Sequence, residues 1–219
     1  FEGKACTYDH TPTNDELTLS PNAAYFHYCS NNTVMGTRFN AIPETNAPLV
    51  CDASSDFFSR PLDYDRHSIV YGGGQKNLGP SGISLVIIRR DLLETQCRTL
   101  PSMLDYAQHA KAGSRLNTPP VFGVYCMSLV FQWILDQGGV GPIHERNTRK
   151  ANILYAAIDR SGGFYSGHSR LECRSEMNIT FNAPTPELEA QFLTEAAANS
   201  MVNLAGHRSI GGMRASIYN

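Results

Sequence analysis

Polar and apolar residues follow one pattern in the first half of the chain and another in the second. Residues 1–22 are polar and irregular and end in "SPN". Apolar segments then recur as "AYFHYCS" (24–30), "APLVCDAS" (47–54), "SIVYGG" (68–73) and "ISLVIIR" (83–89). Each is continuously apolar rather than alternating, which predicts strands covered on both faces. The intervening stretches are long enough for crossovers or ordered loops, so the predicted class is an α/β layered sheet. From residue 119 the period changes. Pro119 and Pro120 precede "VFGVYCMSLVFQWILDQ", and Gly138-Gly139 follows it, the punctuation of a helix. Residues 142–159 place Ile143, Ile153, Leu154, Ala157 and Ile158 at helical spacing among charges, predicting an amphipathic helix. "EMNITF" (176–181) predicts a strand, Thr185-Pro186 opens a further amphipathic helix, and "GMRASIYN" closes the chain as a strand. This last α+β section predicts a smaller unit over 142–219, beside a larger one over 1–141.

Composition narrows the classes of partner. With 219 residues a sizeable core is possible. The 18 basic residues against 20 acidic give a net charge of −2, and the positive charges form no stripe, which argues against nucleic acid. Cys6, Cys29, Cys51, Cys97, Cys126 and Cys173 are widely scattered with no CxxC pair, so neither a thiolate metal site nor a disulfide framework is expected. A reducing compartment suits them better. The most apolar run, "VFGVYCMSLVFQWIL", is too short to span a bilayer, and "FEGKACTYDH" has no signal-peptide pattern. A cytoplasmic location without membrane contact is expected. The sequons at Asn31-Asn32-Thr33 and Asn178-Ile179-Thr180 then read as coincidence.

The candidate chemistry centres on "YGGGQKNLGPSG", where Lys76 sits in a loop holding five glycines between two apolar segments. One reading is a hairpin turn with a solvated lysine. The other sets Lys76 beside Asp52, at the end of "LVCD", and Thr33, just past "FHYCS", on the edge of an open α/β sheet where ligands bind. Asp52 could equally cap a helix in "DASSDF". A phosphate-cradling P-loop is excluded, because Asn77 and then a strand follow the lysine. Charge-based substrate binding and a Schiff base to an aldehyde cofactor both remain. Pyridoxal phosphate requires a lysine, a carboxylate for its ring nitrogen and donors for its phosphate, and Lys76, Asp52, Thr33 and Gln75 meet that requirement. Asn117 and Thr118 precede a helix and either cap it or bind. His207, Arg208 and Arg214, among Gly206, Gly211 and Gly212, suit a doubly anionic small molecule or form an exposed basic turn.

Taken together, "HYCSNNTVMGTRF", "CDASSDFFSRP", "GGGQKNLGPSG", "NTPP", "QGGV" and "GHRSIGGMRASIYN" resemble the phosphoserine aminotransferase family, in order and across nearly the whole chain. The resemblance implies the type I fold of pyridoxal-phosphate-dependent transferases, with a mainly parallel large domain and a smaller α+β carboxyl-terminal domain. It implies a homodimer that moves an amino group between O-phospho-L-serine plus 2-oxoglutarate and 3-phosphohydroxypyruvate plus glutamate. That reaction serves serine biosynthesis and, in many bacteria, pyridoxine biosynthesis. By resemblance Lys76 is the Schiff-base lysine, Asp52 pairs with the pyridine nitrogen, and Thr33 and Gln75 contact the cofactor. Asn117 and Thr118 resemble the pair that reaches the neighbouring subunit's cofactor phosphate. His207, Arg208 and Arg214 resemble the groups that hold the substrate's phosphate and carboxylate. Asn32 stands where the family usually has Glu, and Gly74 where it has Ala. The family's amino-terminal portion, with a substrate arginine and a tryptophan stacked on the ring, has no counterpart, since the one tryptophan is Trp133. The family's final helix is missing too, so the chain is expected to be a fragment. Two other outcomes are weighed: a transaminase of different acid specificity, and a cofactor-binding fragment without turnover. Made alone, the chain is expected to turn over far more slowly than its full-length parent at equal cofactor occupancy, because positioning of the ring is lost. Comparable turnover by the two in a transamination assay would contradict this.

Overall fold

The computed structural model describes residues 8–95 and 98–219. Its strands are β1 (Phe26–Cys29), β2 (Asn31–Asn32), β3 (Thr37–Arg38), β4 (Leu49–Asp52), β5 (Ile69–Gly73), β6 (Ser84–Ile88), β7 (Ser166–Gly167), β8 (Asn178–Asn182) and β9 (Met213–Ser216). Its α-helices are α1 (Arg90–Glu94), α2 (Tyr106–Lys111), α3 (Val121–Asp136), α4 (Val140–Asp159) and α5 (Pro186–Ala198). The chain divides into two units, one of Leu19–Cys29 and Thr45–Val140, the other of the residues up to Thr18 with Ser30–Glu44 and Gly141–Asn219.

The central unit, 19–29 with 45–140, is built on one sheet in the order β1-β4-β5-β6. β1, β4 and β5 run parallel, with Cys29 opposite Asp52 and Asp52 opposite Tyr71, while β6 returns antiparallel to β5. The expected class, α/β with a mostly parallel sheet, is what forms. Tyr28, Leu49, Cys51 and Val70 point to one face and are buried. The opposite face, carrying His27, Cys29, Val50 and Asp52, is half-open, and His27 and Cys29 are exposed. Continuous apolar strands therefore do not mean two covered faces here. The stretch after β4 holds ordered turns instead of a crossover helix: Asp56 and Phe57 N–H both donate to Ala53 O. The Phe57 ring seals the buried face, and Phe58 meets Phe131 of α3 edge-on at 5.5 Å. α3 starts at Pro120, and the N–H groups of Gly138 and Gly139 close its end on Leu135 O and Ile134 O.

The second unit sets α4, from Gly141 on, and α5 with the sheet β7-β8-β9 and the small hairpin β2-β3. Its core is Ala151, Tyr155, Ile158, Ile179 and Ala215. Tyr165, Phe181 and Phe192 extend it through near-perpendicular ring contacts. α4 buries Ile143 and Ile158 and packs Leu154 against the core as expected, but its inward stripe is shifted so that Ile153 and Ala157 are exposed. Ile143, Asn147, Ala151, Tyr155 and Ile158 are buried, whereas Ile153 is 71% exposed. Asn147 is tolerated there because its Nδ2 donates to Asn219 Oδ1 at 2.7 Å. Thr185 caps α5 as expected, its hydroxyl accepting from Leu188 N–H.

Cys29, Cys51, Cys126 and Cys173 are free thiols, and Cys6 and Cys97 lie outside the described residues. Among the described residues no helix is long and apolar enough to cross a membrane.

One buried histidine gives the central unit a pH dependence. His67 Nδ1–H donates to Asp63 O at 2.8 Å, which leaves Nε2 to accept from the Tyr28 hydroxyl at 2.7 Å. Burial outweighs the hydrogen bond to the Asp63 carbonyl and lowers its pKa below the usual histidine value. The unfolded chain therefore takes up the proton first. The stabilisation is full above about pH 6.5 and is lost as pH falls through the lowered folded pKa. An NMR titration should give His67 a midpoint below about 6.5, and His67→Gln should flatten the fall in denaturation midpoint on acidification. A midpoint at or above that value rejects the assignment.

Candidate active site

Parallel pairing fixes where the chemistry of the central unit gathers. β4 and β5 end side by side, so Asp52, the last residue of β4, and the loop that follows Gly73 leave the sheet at the same edge. Asp52 starts no helix. Its Oδ1 accepts from Ser54 N–H two residues on, at 2.8 Å, and the Ser54 hydroxyl accepts from Gly73 N–H at 3.2 Å. One serine thus ties the carboxylate of β4 to the last residue of β5.

Tyr71 is the register partner of Asp52 on β5 and shares its face of the sheet. Burial first, then the Asp52 carboxylate, raises the Tyr71 pKa. His27 Nε2 and the Tyr71 hydroxyl hydrogen-bond to each other at 3.0 Å. His27, Tyr71 and Asp52 thus gather on one face of the sheet. With the Ser54 donor engaged, the carboxylate retains acceptor capacity for others, such as a protonated ring nitrogen. Neither His27 nor Tyr71 stood out in the sequence. Their signal is strand alternation, which puts both on the Asp52 face once the register is known.

Lys76 follows Gly73 by three residues, in the hairpin connection to β6. Gly74 N–H donates to Ile83 O and Gly79 N–H to Gly74 O, both at 2.7 Å, which closes the loop on itself. Asn77 and Leu78 are buried, Gln75 is exposed, and Lys76 lies between as a half-exposed residue. The loop is thus a hairpin, as the plainer reading held, but its lysine is anchored by a neighbour in the core. The other described lysines are placed differently. Lys150 donates to the carbonyls of Ile217 and Tyr218 at 2.9 Å each, and Lys111 is exposed in the last turn of α2.

Asn117 and Thr118 are exposed, and neither caps α3, whose N-cap is Pro120 without a side-chain bond. Asn117 Nδ2 donates to Thr118 O at 3.2 Å. The capping alternative is thereby removed.

The remaining candidates belong to the second unit. Thr33 lies in the turn between β2 and β3, and Arg214 in β9 donates from Nη1 to Thr33 O at 2.9 Å. Arg214 Nε is buried without a partner, which suits a guanidinium built to meet an anion. His207 Nδ1 accepts from Ser209 N–H at 3.2 Å, so a neutral ring carries its proton on Nε2. Arg208 is exposed in the same turn. The structure therefore groups Asp52, Gln75 and Lys76 at one sheet edge, and Thr33 with Arg214 in the other unit. Among the described residues, no cluster of His, Cys, Asp or Glu side chains could hold a metal ion.

A family model described as Aminotransferase class-V matches residues 6–219. The chain belongs to the class-V aminotransferase family. Within that family it is 54% identical, over 217 residues, to a phosphoserine aminotransferase of Herpetosiphon aurantiacus, covering 99% of this chain and 60% of the relative. The phosphoserine aminotransferase of Bacillus circulans subsp. alkalophilus superposes with a TM-score of 0.92 at 47% identity, over 94% of this chain and 58% of that one. A PLP-bound phosphoserine aminotransferase from Trichomonas vaginalis superposes with a TM-score of 0.90 at 37% identity, over 96% and 60%. The chain thus spans about 60% of the length of the curated relatives it matches. The fold is that of the type I PLP-dependent transferases, as expected.

Ser54→Ala tests the tie beneath the lysine loop. Losing the acceptor for Gly73 N–H should destabilise the protein by about 1 kcal/mol and speed hydrogen exchange at the Gly73 amide. Unchanged exchange at Gly73 would mean that the tie carries no load.

Proposed function

We propose that this chain is the larger part of a phosphoserine aminotransferase. It exchanges an amino group between O-phospho-L-serine plus 2-oxoglutarate and 3-phosphohydroxypyruvate plus glutamate, in serine biosynthesis and, where the organism uses it so, in pyridoxine biosynthesis. The observation that carries this reading is the placement of Asp52 and the Lys76 loop at the ends of adjacent parallel strands, in a class-V chain 54% identical to such an enzyme.

Pyridoxal phosphate, when bound, supplies an aldehyde for a lysine amine and a ring that accepts an electron pair. Lys76 would hold the cofactor through its amine and would move the proton at the substrate carbon. Asp52, oriented by Ser54, would keep the pyridine nitrogen protonated, since a close negative charge raises that nitrogen's pKa. Thr33 and Gln75 are further cofactor contacts. His207, Arg208 and Arg214 take the phosphate and carboxylate of the substrate, and the unpartnered Arg214 Nε supports an anion there.

The working form is a cytoplasmic homodimer in which Asn117 and Thr118 reach the neighbouring subunit's cofactor phosphate. Their exposure supports this, as do the exposed apolar side chains of Val121, Phe122, Tyr125 and Leu129 just beyond them. In the whole protein, residues 1–141 belong to the large domain and 142–219 to the small one. One boundary between the two units falls between Val140 and Gly141, although Ser30–Glu44 goes with the second unit.

Borohydride reduction of the full-length holoenzyme followed by peptide mapping should place the pyridoxyl group on Lys76. Lys76→Ala should abolish the label and lower turnover by at least about 10²–10⁴-fold. A label on Lys111 or Lys150 would reject this role. Comparing phosphoserine with aspartate and alanine as amino donors tests specificity, and preference for an unphosphorylated donor would reassign the enzyme to another acid.

A further inference from the structure

The turn that carries Thr33 is held by groups from the far end of the chain. Within the turn, Asn32 Oδ1 accepts from Val34 N–H at 2.9 Å and Met35 N–H at 3.1 Å, and Gly36 N–H donates to Asn32 O at 2.9 Å. These bonds use the amides and leave the carbonyls of Thr33, Met35 and Gly36 to other donors. Thr33 O accepts from Arg214 Nη1 at 2.9 Å. Met35 O accepts from the Thr180 hydroxyl at 2.8 Å and from the Ser169 hydroxyl at 3.0 Å. Gly36 O accepts from the same Ser169 hydroxyl at 2.6 Å and from Ser175 N–H at 2.9 Å. The side-chain donors lie between 133 and 181 residues further along the chain.

Contact is as close as chemistry permits. Gly36 has φ +69°, and a Cβ there would stand 2.7 Å from both Asn178 O and Thr180 Oγ1. Thr180 and Arg214 are register partners across β8 and β9, so a single rung of that sheet grips the turn at two of its carbonyls.

We infer that Thr180 and Ser169 are positioning residues for the cofactor: they fix the turn so that the Thr33 side chain is presented in one place. The inference rests on the proposed role of Thr33 as a cofactor contact. A five-residue turn with three carbonyls engaged cannot shift without breaking several bonds together. Removing one donor lets it drift, and small displacements of positioning groups weaken binding and turnover. Arg214 shares in the grip, so the group proposed for the substrate acid is coupled through Thr33 O to the cofactor contact. Thr180 itself needs to touch neither ligand.

The test is a double-mutant cycle on the full-length enzyme, read as the dissociation constant of pyridoxal phosphate and as the pH titration of the bound cofactor's visible band. Thr180→Val should weaken cofactor binding about three- to ten-fold, the value of one hydrogen bond, and move the titration midpoint. Thr180→Ser should restore both. Ser169→Ala, which leaves Ser175 N–H on Gly36 O, should act in the same direction by about two- to five-fold and serves if Thr180→Val does not fold. Thr33→Val should weaken binding as well, and Thr180→Val added to it should have no further effect, because Thr180 acts only through Thr33. Wild-type affinity in both Thr180→Val and Ser169→Ala, or effects of Thr180→Val and Thr33→Val that simply add, overturns the inference. If Thr33→Val alone changes neither readout, the reading of Thr33 as a cofactor contact is what fails.

Discussion

The side chains of Asn31, Ser175 and Asn178 are all but sealed from water, at 1%, 0% and 0% exposure, and none can be left without partners. Asn31 Nδ2 donates to Asn178 Oδ1 at 3.0 Å, and the Ser175 hydroxyl donates to Asn31 Oδ1. Ser175 Oγ in turn accepts from the N–H groups of Met177 and Asn178, and Asn178 Nδ2 reaches Ser216 Oγ and Tyr218 OH at 3.1 Å each. An unpaired member would cost about 1–3 kcal/mol, so the hairpin bearing Asn31 must seat on β8 in one register. The bonds that Ser169, Thr180 and Arg214 make to the Thr33 turn accompany that seating. The same network accounts for the two sequons: both asparagine amides are consumed inside the fold and out of reach of a glycan.

On the central sheet the organising constraint is direction. Parallel strands put their carboxyl ends on one edge, and the antiparallel β6 then forces the chain to turn back over that edge. The turn is the Lys76 loop. Burial of Asn77 and Leu78 keeps that loop from swinging, so a flexible amine is carried on a fixed base. Asp52 is steadied by Ser54 within its own turn. A lysine and a carboxylate are therefore held by backbone geometry and by small polar side chains.

Much of this was legible in the sequence because it depends on local chemistry. The four apolar segments became β1, β4, β5 and β6, and the Pro and Gly punctuation marked both ends of α3. Thr185-Pro186 gave the start of α5 by the rule that favours those residues there. The β2-β3 hairpin was not legible. Its strands are two residues each and polar, and they exist because residues from 169 onward supply their partners. The inward stripe of α4 is only partly legible for a related reason. Tertiary partners bury Asn147 and leave Ile153 outside, against their hydropathy. Ser54, Thr180 and Ser169 carry no motif, since their importance lies in which carbonyl or amide each one meets.

Sequence distance has a kinetic consequence at the Thr33 turn. A ribosome emits the chain from the amino end, and residues 32–36 emerge well before Ser169, Thr180 and Arg214. Until those arrive, the turn has only its internal Asn32 bonds, and loop closure over more than a hundred residues makes the missing contacts slow to form. The Thr33 turn is thus among the last local structures to set during synthesis. A nascent or truncated chain can own Lys76 and Asp52, properly folded on their sheet, and still lack a settled Thr33 turn.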